Sequence, residues 1–199
     1  MRHLNAFTFV TLNGFFAGPK GDISWHRHGA EENQYAAEGL KSEGLLLFGR
    51  VTYELMASYW PTPMAMKNDP VVAGGMNKAE KIVFSRTLKE AAWNNTRVVA
   101  GDIAEEIRRL KRTPGKDMML LGSGSILAQF AEQGLIDEFL VMVDPVALGA
   151  GTPLFKGIKH KLDLTLTASR TFESGVVLLS YRPQAAPSAE NPSPHPQGA

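Results

Sequence analysis

The sequence predicts an α/β fold, a three-layer αβα sandwich on a mixed, mostly parallel sheet, and three observations carry that expectation. Short apolar runs rich in β-branched and aromatic residues alternate with helical stripes through most of the chain. Several of these runs stop at a glycine or a hydroxyl directly before a helix, the strand-turn-helix order of parallel sheets. Two closing runs, 162–170 and 176–181, enclose Glu173-Ser174-Gly175 and predict an antiparallel hairpin.

Each element follows from its residues. Leu4, Ala6, Phe7, Phe9, Val10 and Leu12 predict a buried, central strand that closes at Asn13-Gly14. A loop of turn formers, Gly18 to Asp22, leads to a helix over 29–42 and a short strand over 45–48. Residues 51–59 predict a helix ended by Pro61 and Pro63, 71–77 another, and 81–84 a strand. After a strand at 97–100, Asp102 can cap a helix whose apolar stripe is Ile103, Ile107 and Leu110, closed at Pro114-Gly115. Met118 to Leu121 runs straight into Gly122-Ser123-Gly124-Ser125, and Ile126, Leu127, Phe130 and Ala131 give the stripe of the next helix. A further strand spans 139–143.

Composition narrows the possibilities. The last fifteen of the 199 residues, 185–199, contain four prolines and almost nothing apolar, so a disordered tail is expected behind one domain of residues 1–184. Lys plus Arg number 21 against 20 Asp plus Glu, a balance that selects for neither nucleic acid nor an anionic membrane. No apolar run is long enough to span a bilayer, and residues 1–6 lack the layout of a signal peptide, so a cytoplasmic protein is expected. The absence of cysteine removes disulfides, thiolate nucleophiles and sulfur-ligated metals.

Three strand ends carry groups suited to phosphate. At Gly122-Ser123-Gly124-Ser125, two glycines between a strand and a helix let backbone amides approach an anion that the helix dipole favours; a plain strand-to-helix turn is the alternative. At Gly49-Arg50-Val51-Thr52, an arginine and a hydroxyl occupy the first helical turn, where they also read as a surface cation and a cap. At Ser85-Arg86, a hydroxyl and a guanidinium follow a third strand, a pairing suited to a 2′-phosphate. Ligands of open α/β sheets gather at the carboxyl ends of strands, so three such ends point to one dinucleotide. A conventional NAD-binding Rossmann site is the competing reading: Asp144 lies about 20 residues beyond Gly122, but Leu127 stands where that fingerprint wants a small residue.

Taken together, Gly49-Arg50-Val51-Thr52-Tyr53-Glu54, Val83-Phe84-Ser85-Arg86-Thr87-Leu88 with Trp93, Leu121-Gly122-Ser123-Gly124 and Gly134-Leu135-Ile136-Asp137-Glu138 resemble the dihydrofolate reductase-like superfamily. Within it they resemble the reductase domain of the riboflavin-biosynthesis deaminase-reductase and its stand-alone relatives, over residues 4–182. The resemblance implies an eight-stranded mixed sheet, NADPH as cofactor and a homodimer. Carried over by position, Gly49, Arg50 and Thr52 would hold cofactor phosphates, and Ser85 and Arg86 would sit near the adenosine 2′-phosphate. Gly122, Ser123, Gly124, Ser125 and Ile126 would cradle the pyrophosphate, and the loop 17–25 would cover the nicotinamide. The implied activity is hydride transfer to a C=N or C=O of a small substrate of pterin or pyrimidine type. A non-catalytic NADP(H)-binding module of the same fold is the alternative.

One departure motivates that alternative: relatives carry Ser-Leu-Asp-Gly after the first strand, where this chain has Thr11-Leu12-Asn13-Gly14. An amide cannot act as a proton-transferring acid, so Asn13 is left to orient a substrate. Glu31 and Glu32, after Trp25, are the other weak catalytic candidates, although solvated acids in a first helical turn are the expected reading. His26 and His28 read as surface imidazoles, and no metal site is expected. Trp60, Trp93 and Met118, Met119 and Met142 read as core or interface, and Asp137-Glu138 as a structural helix-to-strand junction.

Overall fold

The computed structural model describes residues 1–27, 29–42 and 44–184; the expected tail, 185–199, and His28 lie outside the described residues. The chain runs β1 (Leu4–Thr11), β2 (Phe15–Ala17), α1 (Ala30–Lys41), β3 (Leu45–Gly49), α2 (Arg50–Tyr59), α3 (Pro63–Asn68), α4 (Pro70–Lys78), β4 (Lys81–Phe84) and β5 (Thr96–Val99). It continues with α5 (Ile103–Arg112), β6 (Met118–Leu121), α6 (Gly124–Glu132), β7 (Glu138–Asp144), β8 (Thr152–Pro153), β9 (Leu164–Thr171) and β10 (Val177–Pro183).

Eight strands form one sheet in the order β5-β4-β3-β6-β1-β7-β10-β9. The first six are mutually parallel, and β10 runs antiparallel to both β7 and β9, which gives the expected closing hairpin. β1 is interior, as its apolar residues on both faces require: Leu4, Ala6 and Val10 face one layer, Phe7 and Phe9 the other. Successive residues of β3 divide in the same way, Leu45 and Leu47 packing with α5 and α6, and Leu46 and Phe48 packing with α1, α2 and α4. Helices therefore cover both faces.

Local chemistry explains most element ends. Asp102 caps α5, its Oδ1 accepting from Ala104 N at 2.9 Å and Glu105 N at 3.0 Å, while Ala104, Ile107 and Leu110 are buried. Pro63 does not only end α2. With Thr62 accepting from Ala65 N as N-cap, Pro63 opens α3 from the N1 position, where its missing N–H costs nothing. The two-residue β8 and three-residue β2 pair as a separate ribbon, too short for any periodicity to announce them.

Lys81, the first residue of β4, is only 1% exposed. Its ammonium donates to Ala79 O at 2.5 Å and Asn77 O at 3.3 Å and lies 4.6 Å from the centre of the Trp93 ring. Trp93 is held in turn by Asn77, which accepts from its Nε1 at 2.7 Å, and by Tyr53, whose hydroxyl accepts from its backbone N–H at 2.9 Å. Burial pushes the Lys81 ammonium down to about 8. The folded chain thus gives up this proton well below the ordinary lysine range of roughly 10.4. Between those two values the unfolded chain binds more protons, so this group makes stability rise with pH. In urea melts at about pH 8 and about pH 10, the stability of the wild type relative to Lys81→Met should increase with pH; a constant difference would mean that the ammonium is solvated in the folded state.

Candidate active site

The three phosphate-suited turns lie at the ends of three adjacent parallel strands. Gly49 of β3 pairs with Phe84 of β4, and Leu47 of β3 pairs with Leu120 of β6, so the turns after residues 49, 84 and 121 leave the sheet at one level and one edge. The helices that follow, α2 and α6, start side by side at that edge. Neither has a side-chain cap, which leaves the first N–H groups of each helix pointing outward without a protein acceptor from the cap residue.

The junction between the two turns is tight. Ser123 Oγ accepts from Gly49 N at 2.8 Å and donates to Leu121 O at 3.0 Å, tying the ends of β3 and β6 together. Gly122 and Ser123 are both left-handed, with φ of 54° and 60°, a conformation open to glycine and costly for serine. A Cβ on Gly49 would stand 3.1 Å from Ile126 Cγ1, and one on Gly122 would meet Thr52 at 3.4 Å. A Cβ on Gly124 would run into the Phe16 ring of β2 at 2.7 Å. Gly49, Thr52, Gly122, Ser123, Gly124 and Ile126 therefore form one contiguous cradle; Ser125 follows in the first turn of α6 and is exposed.

The cations flank this cradle. Arg50 is half exposed and paired with Glu54 of the next turn at 2.8 Å, a weak surface contact that leaves it able to swing. Arg86 is exposed just past β4. The Ser85 hydroxyl, by contrast, is occupied locally: it accepts from Thr87 N at 3.1 Å and Leu88 N at 2.9 Å and so shapes the turn that presents Arg86.

The remaining candidates stand on the other side of β1. Asn13 spends its amide on the segment after β7, donating to Leu148 O at 2.7 Å and accepting from Leu148 N at 3.2 Å and from the Thr11 hydroxyl at 2.8 Å. Glu31 accepts from Glu173 N at 2.7 Å. Glu32 is not the solvated acid expected of a first helical turn: it is 5% exposed, its carboxylate lies over Gly29, and it accepts from the Ser174 hydroxyl of the β9–β10 turn.

His26 is likewise not a surface imidazole. Its side chain is 5% exposed, its Nδ1 lies 2.8 Å from Asp144 Oδ2, and its ring lies against Phe9 with centroids 3.6 Å apart. Asp144 is fully buried, with Oδ1 accepting from Arg27 N at 2.8 Å. It ends β7, and β1 stands between β7 and β6, so it does not front the Gly122 turn as a ribose-binding acid of a Rossmann site would. Sequence reasoning missed the pair because its members are 118 residues apart. A signal was present, since Asp144 falls in phase with the buried Leu140 and Met142 on one face of its strand.

Among the described residues, no cluster of three or more His, Asp or Glu could hold a metal ion, and no helix is long and apolar enough to cross a membrane. Two shallow hollows, one between α1 and α4 and one beside Trp93, open at the amino edge of the sheet, away from the cradle.

Comparison with known proteins agrees with this architecture. Residues 2–178 match the family model described as the RibD C-terminal domain. The uncharacterized protein YyaP of Bacillus subtilis is 34% identical over 172 residues, which cover 86% of this chain and 90% of that protein. Among solved structures, a putative riboflavin biosynthesis protein from Shewanella sp. PV-4 superposes with a TM-score of 0.71 at 20% identity, covering 92% of this chain and 99% of that one. A pyrimidine reductase-like protein from Corynebacterium diphtheriae superposes with a TM-score of 0.62 at 14% identity, covering 93% of each chain. Part of a longer chain, a diaminohydroxyphosphoribosylaminopyrimidine deaminase/5-amino-6-(5-phosphoribosylamino)uracil reductase from Thermotoga maritima, superposes with a TM-score of 0.66 at 16% identity, covering 92% of this chain and 57% of that one. With its eight-stranded sheet, closing hairpin and glycine cradle, the chain belongs to the RibD C-terminal domain family.

Proposed function

We propose that this chain is an NADPH-dependent reductase whose cofactor phosphates rest on the cradle between α2 and α6. One observation carries the reading: two uncapped helix N-termini open at neighbouring strand ends, joined by the Ser123–Gly49 bond and flanked by Arg50 and Arg86. Backbone N–H groups of residues 51–52 and 124–125, at the starts of two neighbouring helices, suit a diphosphate. Arg86, presented by the Ser85 turn, suits the 2′-phosphate that distinguishes NADPH from NADH. NADPH, when bound there, supplies a hydride to an electrophilic carbon, a C=N or C=O of a small substrate. The descriptions of the solved relatives as pyrimidine reductase-like and riboflavin-biosynthesis proteins favour a substrate of pyrimidine or pterin type.

The segment 17–25 is the natural cover for the reacting end. It starts from the β2–β8 ribbon and is pinned at its far end where His26 and Arg27 meet Asp144, so it can move as a flap between two fixed points. A non-catalytic NADP(H)-binding module is the second reading, favoured by Asn13, whose amide is committed to Leu148.

Calorimetric titration of both cofactors tests the assignment. NADPH should bind more tightly than NADH, and Arg86→Ala should narrow that gap on the order of tenfold by removing a charge-assisted contact to the 2′-phosphate. Equal losses for both cofactors would contradict the role of Arg86, and no uptake of NADPH would remove the reductase reading. Gly122→Ala should behave differently. Its φ of 54° is strained for alanine, so the cradle distorts and both cofactors should weaken together, by roughly 1–2 kcal/mol; a variant that binds both as the wild type does would place the diphosphate elsewhere. Steady NADPH oxidation with any of a panel of pterins, pyrimidine ribosylamines and aldehydes separates the enzyme from the binding module.

A further inference from the structure

Arg50 is the first residue of α2, and a cation is out of place there. The start of a helix carries the positive end of its macrodipole, which stabilises a carboxylate and disfavours a guanidinium. α5 obeys that rule, with Glu105 and Glu106 in its first turn and Arg109, Lys111 and Arg112 in its last, whereas the first turn of α2 holds no acid. Its cation is balanced one turn later instead. Arg50 Nη1 donates to Glu54 Oε1 at 3.0 Å and to Oε2 at 2.8 Å, across an i, i+4 spacing in which arginine before glutamate is the weaker order. Both side chains are nearly half exposed, at 44% and 47%. Water and salt screen such a pair, and it yields readily to a stronger anion.

The contact also leaves the guanidinium poorly used. One terminal nitrogen makes both bonds, so the parallel two-nitrogen grip that arginine offers a carboxylate or a phosphate is not formed with Glu54. A diphosphate over the N–H groups of residues 51–52 would present oxygens to that fork at the end of the helix, where the dipole adds to the attraction. Glu54 lies roughly 6 Å further along the axis. An arginine drawn toward Glu54 is therefore drawn away from the cradle, and the two anions compete for it.

We infer that Glu54 is a built-in competitor that holds Arg50 off the cofactor diphosphate and so keeps the cofactor exchangeable; the inference rests on the reductase reading above. Binding exchanges one charge-assisted contact for another, because Arg50 leaves the Glu54 carboxylate as it meets the diphosphate. On release the carboxylate takes it back. The cofactor is thereby held more weakly, and leaves faster, than on the same cradle with a neutral residue at position 54. In an enzyme that must discharge NADP+ and take up NADPH at every turnover, that exchange contributes to the rate.

The test is a double-mutant cycle on cofactor binding, with Glu54→Gln, which keeps the length of the side chain, and Arg50→Met. Both positions are on the surface, so neither change removes core packing. By calorimetry at low salt, Glu54→Gln should bind NADPH and NADH each about three- to fivefold more tightly than the wild type. Stopped-flow measurement of NADPH fluorescence should place most of that gain in slower dissociation. Made in Arg50→Met, the same substitution should give less than half the gain, because only simple repulsion between the carboxylate and the phosphates is then relieved. An equal gain with and without Arg50 would reduce Glu54 to such repulsion, and weaker binding in Glu54→Gln would mean that the carboxylate presents Arg50 to the cofactor. Either result overturns the inference, as does unchanged affinity, and as does a gain confined to NADPH, which would move Arg50 to the 2′-phosphate. Failure of the reductase reading is told apart, because the wild type then takes up no NADPH at all.

Discussion

The candidate site depends on the hydrogen bond between Ser123 Oγ and Gly49 N, because it joins the ends of two strands that are 74 residues apart in the chain. Parallel pairing brings β3 and β6 to one level, but a sheet ladder stops at its last paired residue and does not by itself set how the following helices start. The Ser123 hydroxyl does so, accepting from one turn and donating within the other. A backbone N–H buried at this point without a partner would cost about 1–3 kcal/mol. The left-handed Gly122-Ser123 pair and the absent Cβ atoms of Gly49 and Gly124 are what let α2, α6 and Phe16 come this close.

The two edges of the sheet handle charge in opposite ways. At the amino edge the buried Lys81 ammonium donates to two backbone carbonyls and lies over an aromatic face. At the carboxyl edge the helix N-termini point outward, and the nearby arginines are exposed or only weakly paired. The first arrangement holds structure together; the second leaves electrostatic potential for an anion. Asp144 and Glu32 are buried beyond β1, away from the turns after β3 and β4 that carry Arg50 and Arg86.

Legibility in the sequence followed the range of the interaction. Elements whose formation rests on local pattern, such as α5 with its Asp102 cap and the stripe Ile103, Ile107 and Leu110, were readable because cap and stripe lie within one window. The cradle residues were readable because each turn carries its own glycine or hydroxyl. The β2–β8 ribbon and α3 were not, since two or three residues hold no periodicity and Pro63 looks the same whether it ends one helix or opens the next. His26 and Glu32 were misread as exposed for a related reason: isolated polar residues beside a turn look solvated until their partners, Asp144 and Ser174, are known.

The sequence by itself determined the layered α/β architecture, the closing hairpin and the glycine turns that follow its strands, because apolar period, glycine placement and capping chemistry act over a few residues. Only the tertiary structure decided that those turns share one edge of the sheet, and that a histidine and an aspartate 118 residues apart meet beside β1. Strand order and burial are set by the packing of the whole chain, and no short window of residues contains that information.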